Sequence, residues 1–234
     1  MLSFFLLIIK SWRRTIFDFS QLGEEKIIDN IIFRLSKNKK FQKRYIDIGC
    51  FDPIKFSNTF KLYQKGWSGI VIEPNKTKTR NWKKIRPRDT IINSALVPEN
   101  FESDEIEIYK DGDSDPSETT ALNAKNSKKQ TYRSKVIKLR EIDGICKKVS
   151  IKPFLINIDI ENKEDEILKD FKLLDTKIPI ICVELLLNKN EESIFDYQNH
   201  NSINELKKLG YILVSVCGVS LIFCHKDFWI PFYR

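Results

Sequence analysis

The stretch Tyr45-Ile46-Asp47-Ile48-Gly49-Cys50 decides the fold, together with Gly69-Ile70-Val71-Ile72-Glu73-Pro74. Each is an apolar run of strand length that stops on a turn residue, and each carries an acid at or near its end. A strand, a tight turn, a helix and a second strand closing on an acid form a nucleoside-binding half of an open α/β sheet. Glu73 is placed to accept hydrogen bonds from ribose hydroxyls. Gly49 lets the first turn run close under a ligand, because a Cβ there would occupy the ligand's space.

The turn itself narrows the ligand. A dinucleotide site needs Gly-x-Gly-x-x-Gly so that backbone amides and a helix N-terminus meet the pyrophosphate. Asp47-Ile-Gly-Cys-Phe-Asp-Pro-Ile offers one glycine, with Phe51, Asp52 and Pro53 where the others would stand. Such a turn does not cradle a diphosphate. With Asp47 and Asp52 it suits a ligand with a positive end, such as the amino and sulfonium groups of S-adenosylmethionine.

Outward from this pair, strand and helix patterns alternate. Glu24 to Leu35 spaces Ile27, Ile28, Ile31, Ile32 and Leu35 along one helical face. Ser57 to Gly66 reads as a helix with a serine or asparagine cap and a glycine stop. Strands are expected at Arg44–Gly49, Gly69–Glu73 and Thr90–Leu96, with half-solvated strands at Glu105–Tyr109 and Lys135–Leu139. Between the last two, Asp111–Gln130 is polar and long, and is read as a substrate-side flap. Pro153–Glu161 is a strand, Lys163–Phe171 a helix, Ile178–Leu185 a buried strand and Ile203–Leu209 a helix. Tyr211–Val216 and Val219–Cys224 form a hairpin through Cys217-Gly218. The expected architecture is α/β and doubly wound, with a central mostly parallel sheet, helices on both faces and a C-terminal antiparallel hairpin.

A chain of 234 residues suits one domain, taken as 20–234, behind an apolar and basic segment at 1–19. The five cysteines are odd in number and never form Cys-x-x-Cys, which argues for a reducing, cytoplasmic setting and against a structural zinc. The run Met1 to Ile9 is far short of the roughly 20 residues that span a bilayer. Lys10, Arg13 and Arg14 follow it, whereas a secretory signal carries its charges in front. It reads as a helix docked on the domain or, for residues 1–14, as a segment that dips into a membrane surface. The net charge of +8 concentrates at Lys37–Arg44, Lys76–Arg88 and Lys125–Lys138. These are solvated faces, or they meet phosphate on a lipid-linked glycan, a membrane or a nucleic acid.

Taken together, these segments resemble the FkbM-type S-adenosylmethionine-dependent methyltransferases. The likeness runs through Ser20-Gln-Leu-Gly-Glu-Glu, Tyr45-Ile-Asp-Ile-Gly-Cys-Phe-Asp-Pro with Ser57-Asn-Thr-Phe, and Gly66-Trp-Ser-Gly-Ile-Val-Ile-Glu-Pro-Asn. It continues through Arg88-Asp, Asn93-Ser-Ala, Ile156-Asn-Ile-Asp-Ile-Glu-Asn-Lys-Glu-Asp-Glu and Ile180-Ile-Cys-Val-Glu. The resemblance implies a Rossmann-like class I methyltransferase fold and methyl transfer to a hydroxyl, commonly of a sugar or a polyketide-type product. It implies that Asp47 and Gly49 line the methionine end of the cofactor, and Cys50, Phe51, Asp52, Ser57 and Asn58 are counted among the cofactor-binding candidates. Glu73 would hold the ribose, with Pro74 a further cofactor-binding candidate, Asn93, Ser94 and Ala95 would border the adenine, and Asp159-Ile-Glu161 would lie beside the reacting centre. Asn162 departs from the family's usual glycine, and Cys50-Phe51 from its usual small residues.

Methyl transfer to a hydroxyl is an in-line displacement, so alignment supplies most of the catalysis, and a base still helps because the hydroxyl must lose its proton. Asp159, Glu161 and Glu184 are the candidate catalytic acids, each at a strand end. Ser117, Thr119 and Thr120 in the flap are candidates for sugar hydroxyls. Carboxylates at this edge could take a divalent metal, although no dedicated metal motif is present and none is expected. Two other readings stand beside the sugar or glycan acceptor. One is a nucleic-acid methyltransferase, suggested by the basic runs with Trp82 and Tyr132; the other is a non-catalytic protein with a degenerate pocket.

Overall fold

A computed structural model describes residues 18–36, 40–110, 119–120, 131–160, 164–185 and 200–229. Its centre is a seven-stranded sheet, built from β1 (Arg44–Ile48), β2 (Ser68–Ile72), β3 (Thr90–Ile92), β8 (Leu155–Ile158), β9 (Ile180–Glu184), β10 (Tyr211–Cys217) and β11 (Ser220–His225). The order across the sheet is β10-β11-β9-β8-β1-β2-β3. All neighbours are parallel except β11, which runs antiparallel to both β9 and β10. The hairpin therefore closes the sheet with its second strand inserted and its first at the edge.

Strand alternation sorts side chains to two faces, because successive residues of a strand point opposite ways. Ile46, Ile48, Ile70, Ile72, Ile156, Ile158, Ile181 and Val183 meet α5 (Leu139–Lys148), α6 (Glu164–Asp170) and α7 (Asn201–Lys208) through Leu139, Ile142, Cys146, Ile167, Leu168, Ile203 and Leu206. On the other face Tyr45, Val71, Leu155, Cys182 and Ile222 meet α1 (Glu24–Ser36) and α2 (Phe60–Gln64) through Ile28, Ile31, Ile32, Leu35 and Leu62. Trp82, from α4 (Trp82–Ile85) behind the short α3 (Lys76–Thr79), completes this layer. The result is the doubly wound arrangement that the alternating pattern implies, with helices on both faces.

Three local readings need correction. The run Thr90–Leu96 is not one strand: β3 ends at Ile92, and β4 (Ala95–Leu96) belongs to a second sheet. The break falls at Asn93, whose Nδ2 donates to the Glu73 carbonyl at 3.1 Å and to Thr79 Oγ1 at 2.9 Å. Lys135–Leu139 is likewise split, since β7 (Thr131–Ile137) stops and α5 begins at Leu139. The second helix begins at Phe60, later than expected. Ser57 Oγ accepts from the Phe60 amide at 3.1 Å, and Gly66 ends the turn with φ +85°.

The second sheet was not foreseen. It has four strands in the order β4-β7-β5-β6, where β5 is Glu105–Lys110 and β6 is Thr119–Thr120. β5 lies antiparallel to β7 with Ile108 opposite Tyr132. The remainder of the expected flap and the whole of 1–17 lie outside the described residues, as do Ser117, Glu161 and Asn162.

Candidate functional site

Parallel register brings the main candidates into one row. Ile92, Ile72, Ile48, Ile158 and Val183 are successive partners across β3, β2, β1, β8 and β9. One residue further along each chain stand Asn93, Glu73, Gly49, Asp159 and Glu184. They line the carboxyl edge of the sheet, and Gly49 is central. β2 lies to one side of β1 and β8 to the other, so Gly49 marks the point where strand order reverses and open α/β sheets leave a crevice for ligand.

The glycine has a structural reason that the sequence did not reveal. Gly49 has φ +72°, and a Cβ built on it would overlap the carbonyl oxygen of Asp159 and stand 2.7 Å from its carbon. The space that a Cβ would take belongs to the backbone just past β8, not only to a ligand. The Asp159 amide donates to Ile48 O at 3.0 Å and the Gly49 amide to Ile72 O at 2.9 Å, so both turns are tied to the strands beside them. Phe51 follows in the left-handed region with φ +44°.

Glu73 is 3% exposed. One of its oxygens accepts from the Asn75 amide at 2.9 Å and the other from the Phe51 amide at 3.3 Å. Burial raises its carboxyl above the ordinary range, against which the Lys78 ammonium and the two amides work. Lys78 Nζ also stands 4.3 Å from the centre of the Phe51 ring. The first turn and the end of β2 are thus joined through the acid that was expected to meet ribose.

Asp47 is 2% exposed and belongs to a buried chain of polar groups. Its Oδ2 accepts from the Thr59 hydroxyl, and its Oδ1 accepts from Asn157 Nδ2 at 3.0 Å. Asn157 Oδ1 accepts in turn from Asn58 Nδ2 at 3.0 Å. Burial pushes the Asp47 carboxyl up, and the Arg86 charge opposes it. At the end of this chain Asn58 Oδ1 is buried with no hydrogen-bond partner among the described residues.

The remaining candidates take different positions. Cys50 packs into the core on the α1 side, where burial pushes its thiol well up. Asp52 Oδ1 accepts from the Ile54 amide at 2.8 Å and the Lys55 amide at 2.7 Å, so it closes its own turn. Ser57 Oγ takes Arg86 Nη1 at 3.2 Å as well as the helix amide. Pro74 is half-buried beside Glu73; Ser94 and Ala95 are buried where the chain crosses from β3 to β4. Thr119 and Thr120 form β6, and only their backbone is described. His225 is remote: it ends β11 at the opposite edge, accepts from the Asp227 amide at Nδ1 and meets Leu209 O through Nε2 at 3.1 Å. Among the described residues no group of three or more His, Cys, Asp or Glu side chains is arranged to hold a metal. All five cysteines are buried, and none is joined in a disulfide.

Two features escaped sequence reasoning. Arg86 sits inside what reads as a solvated basic run, yet it is fully buried. Its Nε donates to Asp89 Oδ2 at 2.7 Å and its Nη2 to Tyr45 Oη at 2.5 Å and Thr59 Oγ1 at 2.9 Å. The guanidinium thereby braces the segment that holds Asp47. The clue was Trp82 and Asp89 around it, since a tryptophan four residues away on a helical turn and an acid three residues on can enclose a cation. The second feature is Tyr132, whose buried hydroxyl has no hydrogen-bond partner among the described residues and whose pKa is raised by burial, with the Glu73 charge adding to it. No local pattern singles it out.

A family model matches the span that holds this geometry. Residues 47–213 match the model of the methyltransferase FkbM domain. Among solved structures, a TehB-like SAM-dependent methyltransferase from Corynebacterium glutamicum is 10% identical, with 96% of this chain and 97% of that chain covered and a TM-score of 0.44. No curated protein matches the chain.

Proposed function

Because the chain belongs to the FkbM methyltransferase family, we propose that it transfers the methyl group of S-adenosylmethionine to a hydroxyl oxygen of a sugar or glycan. The single observation that supports this reading is the row Asn93-Glu73-Gly49-Asp159-Glu184, which sets a ribose acceptor and candidate bases along one edge.

The residues fit such a cofactor. Each Glu73 oxygen accepts one amide and keeps a second lone pair, enough for the two hydroxyls of a ribose. Asn58 Oδ1 is a buried acceptor with no partner among the described residues; it suits an ammonium group, and leaving it unpaired costs about 1–3 kcal/mol. When bound, S-adenosylmethionine supplies a methyl group on a sulfonium.

In this reading Glu73 and Pro74 hold the ribose, Asn93, Ser94 and Ala95 border the adenine, and Asn58 with the Asp47 chain holds the methionine end. Asp159, whose backbone packs on Gly49, takes the proton that the acceptor hydroxyl loses. Glu184, one strand further on, aligns the acceptor hydroxyl. An acceptor linked through phosphate would draw on the remaining surface lysines.

The test is methyl transfer from a labelled donor to a panel of sugars, glycans and RNA. Label in a sugar or glycan supports the reading. Label in RNA with no sugar turnover overturns the acceptor, and S-adenosylhomocysteine that fails to bind overturns the whole.

A further inference from the structure

The hydrogen bonds that begin at Arg86 have a fixed direction. A guanidinium can only donate, and Arg86 Nη2 donates to Thr59 Oγ1 at 2.9 Å. The Thr59 proton is thereby turned to Asp47 Oδ2. Asp47 Oδ1 accepts from Asn157 Nδ2 at 3.0 Å, so the Asn157 oxygen faces the other way and accepts from Asn58 Nδ2 at 3.0 Å. A single amide turned over in this chain would set acceptor against acceptor. Asn58 therefore keeps its donor side inward, and its oxygen is the atom left over. That Oδ1 is buried with no hydrogen-bond partner among the described residues, and a buried acceptor in that state marks a cost or a missing partner.

The chain ends beside the carboxyl edge. Asp47, Asn157 and Cys182 are successive register partners across β1, β8 and β9, two residues before Gly49, Asp159 and Glu184, so their row lies roughly 7 Å inside that edge. Asn58 precedes α2 and lies over β8 and β9, with its Nδ2 also 3.8 Å from Cys182 Sγ. Glu73 stands past β2, on the other side of β1. A ligand that meets both must cross Gly49, with a diol at one end and a hydrogen-bond donor at the other.

We propose that Asp47 is a positioning residue: through Asn157 it holds the Asn58 amide with its oxygen outward, and that oxygen accepts from the ammonium group at the methionine end of the cofactor. This rests on the methyltransferase reading and deepens it. The acid expected to meet the methionine end instead sets the sign of the residue that does. An isosteric change at Asp47 then reverses that sign. In Asp47→Asn the new amide must take the Thr59 proton on its oxygen and offer an N–H to Asn157, so both following amides turn over and Asn58 presents a donor.

Calorimetry on wild type, Asp47→Asn, Asn58→Ala and the double variant tests this, with three ligands. They are S-adenosylhomocysteine, its deaminated analogue, which lacks only the ammonium, and 5′-methylthioadenosine, which lacks the whole amino-acid end. Asp47→Asn is expected to bind S-adenosylhomocysteine about tenfold to a hundredfold more weakly, and the other two no more weakly than wild type does. Asn58→Ala should show the same selective loss, and Asp47→Asn should add nothing to it in the double variant. An equal loss for all three ligands, unchanged S-adenosylhomocysteine affinity in either single variant, or losses that add in the double variant would each overturn the assignment. If Asp47→Asn does not melt cooperatively, Asn58→Ala decides: a loss confined to S-adenosylhomocysteine supports the assignment, and a loss shared by all three overturns it. Wild type that binds none of the three overturns it together with the methyltransferase reading, whereas wild-type binding with unselective variants overturns the assignment alone.

Discussion

Gly49 lies with its α-carbon against the Asp159 backbone, so close that any β-carbon at 49 would overlap the Asp159 carbonyl. The contact joins the first turn to the end of β8 at the centre of the carboxyl edge. Gly49→Ala must therefore either strain a residue at φ +72° or push the two strand ends apart. A left-handed backbone alone costs an L-residue about 1–2 kcal/mol, and the overlap adds to it. The variant is expected to unfold at lower urea and to lose S-adenosylhomocysteine binding at least tenfold, read by circular dichroism and calorimetry.

Glu73 links affinity and stability with opposite signs. Burial raises its folded pKa above the ordinary 4.5, so the folded state holds the proton more tightly than the unfolded chain does. Ionisation then weakens the fold: its contribution is fully present below the ordinary carboxylate range and is lost as pH rises through the raised value. Ligand binding needs the ionised acceptor, so affinity should rise with pH through that same window and then level off. In Glu73→Gln the rise should vanish, affinity should fall about tenfold to a hundredfold, and the wild-type loss of stability across the window should shrink. Calorimetry and urea melts from pH 4 to 8 check both slopes.

Arg86 should matter to folding more than its place in a basic run implies. Removing it leaves Asp89 and Asp47 buried without their cation. Breaking a buried pair by deleting one partner costs about 3–5 kcal/mol, and Arg86→Met should lose that much in urea denaturation. Arg86→Lys should recover little, because one ammonium cannot serve Asp89, Tyr45, Thr59 and Ser57 from three nitrogens at once.

His225 is 2% exposed, and burial lowers its pKa below the ordinary 6.5. The folded state thus binds that proton less readily than the unfolded chain, so stability is lost as pH falls from the ordinary histidine range toward the lowered value. His225→Gln should remove this acid-side loss and leave S-adenosylhomocysteine affinity unchanged at pH 8. Melting curves from pH 5 to 8, with an NMR titration of the imidazole, measure it.

The row at the carboxyl edge was readable because β1, β2, β8 and β9 are largely apolar runs, each with a candidate at or just past its end. Parallel pairing then aligns Glu73, Gly49, Asp159 and Glu184 without further information. The second sheet was harder to see. β4 has two residues and β7 ends one residue before a helix, so period-two alternation is too short to separate them. The helix Leu139–Lys148 did carry a signal, since the Lys138 amide donates to Glu141 Oε2 at 2.8 Å and Leu139, Ile142 and Cys146 share a face. The adjoining strand pattern hid it. Arg86 was not legible for a different reason: its bonds to Tyr45, Ser57 and Thr59 reach partners far along the chain.

The most direct test is calorimetry of S-adenosylhomocysteine binding to wild type and to Glu73→Ala. Saturable heat from wild type, with affinity about a hundredfold weaker in a Glu73→Ala protein that still melts cooperatively, is the expected result. No heat from wild type, or equal affinity in the two proteins, would contradict a cofactor site organised around Glu73.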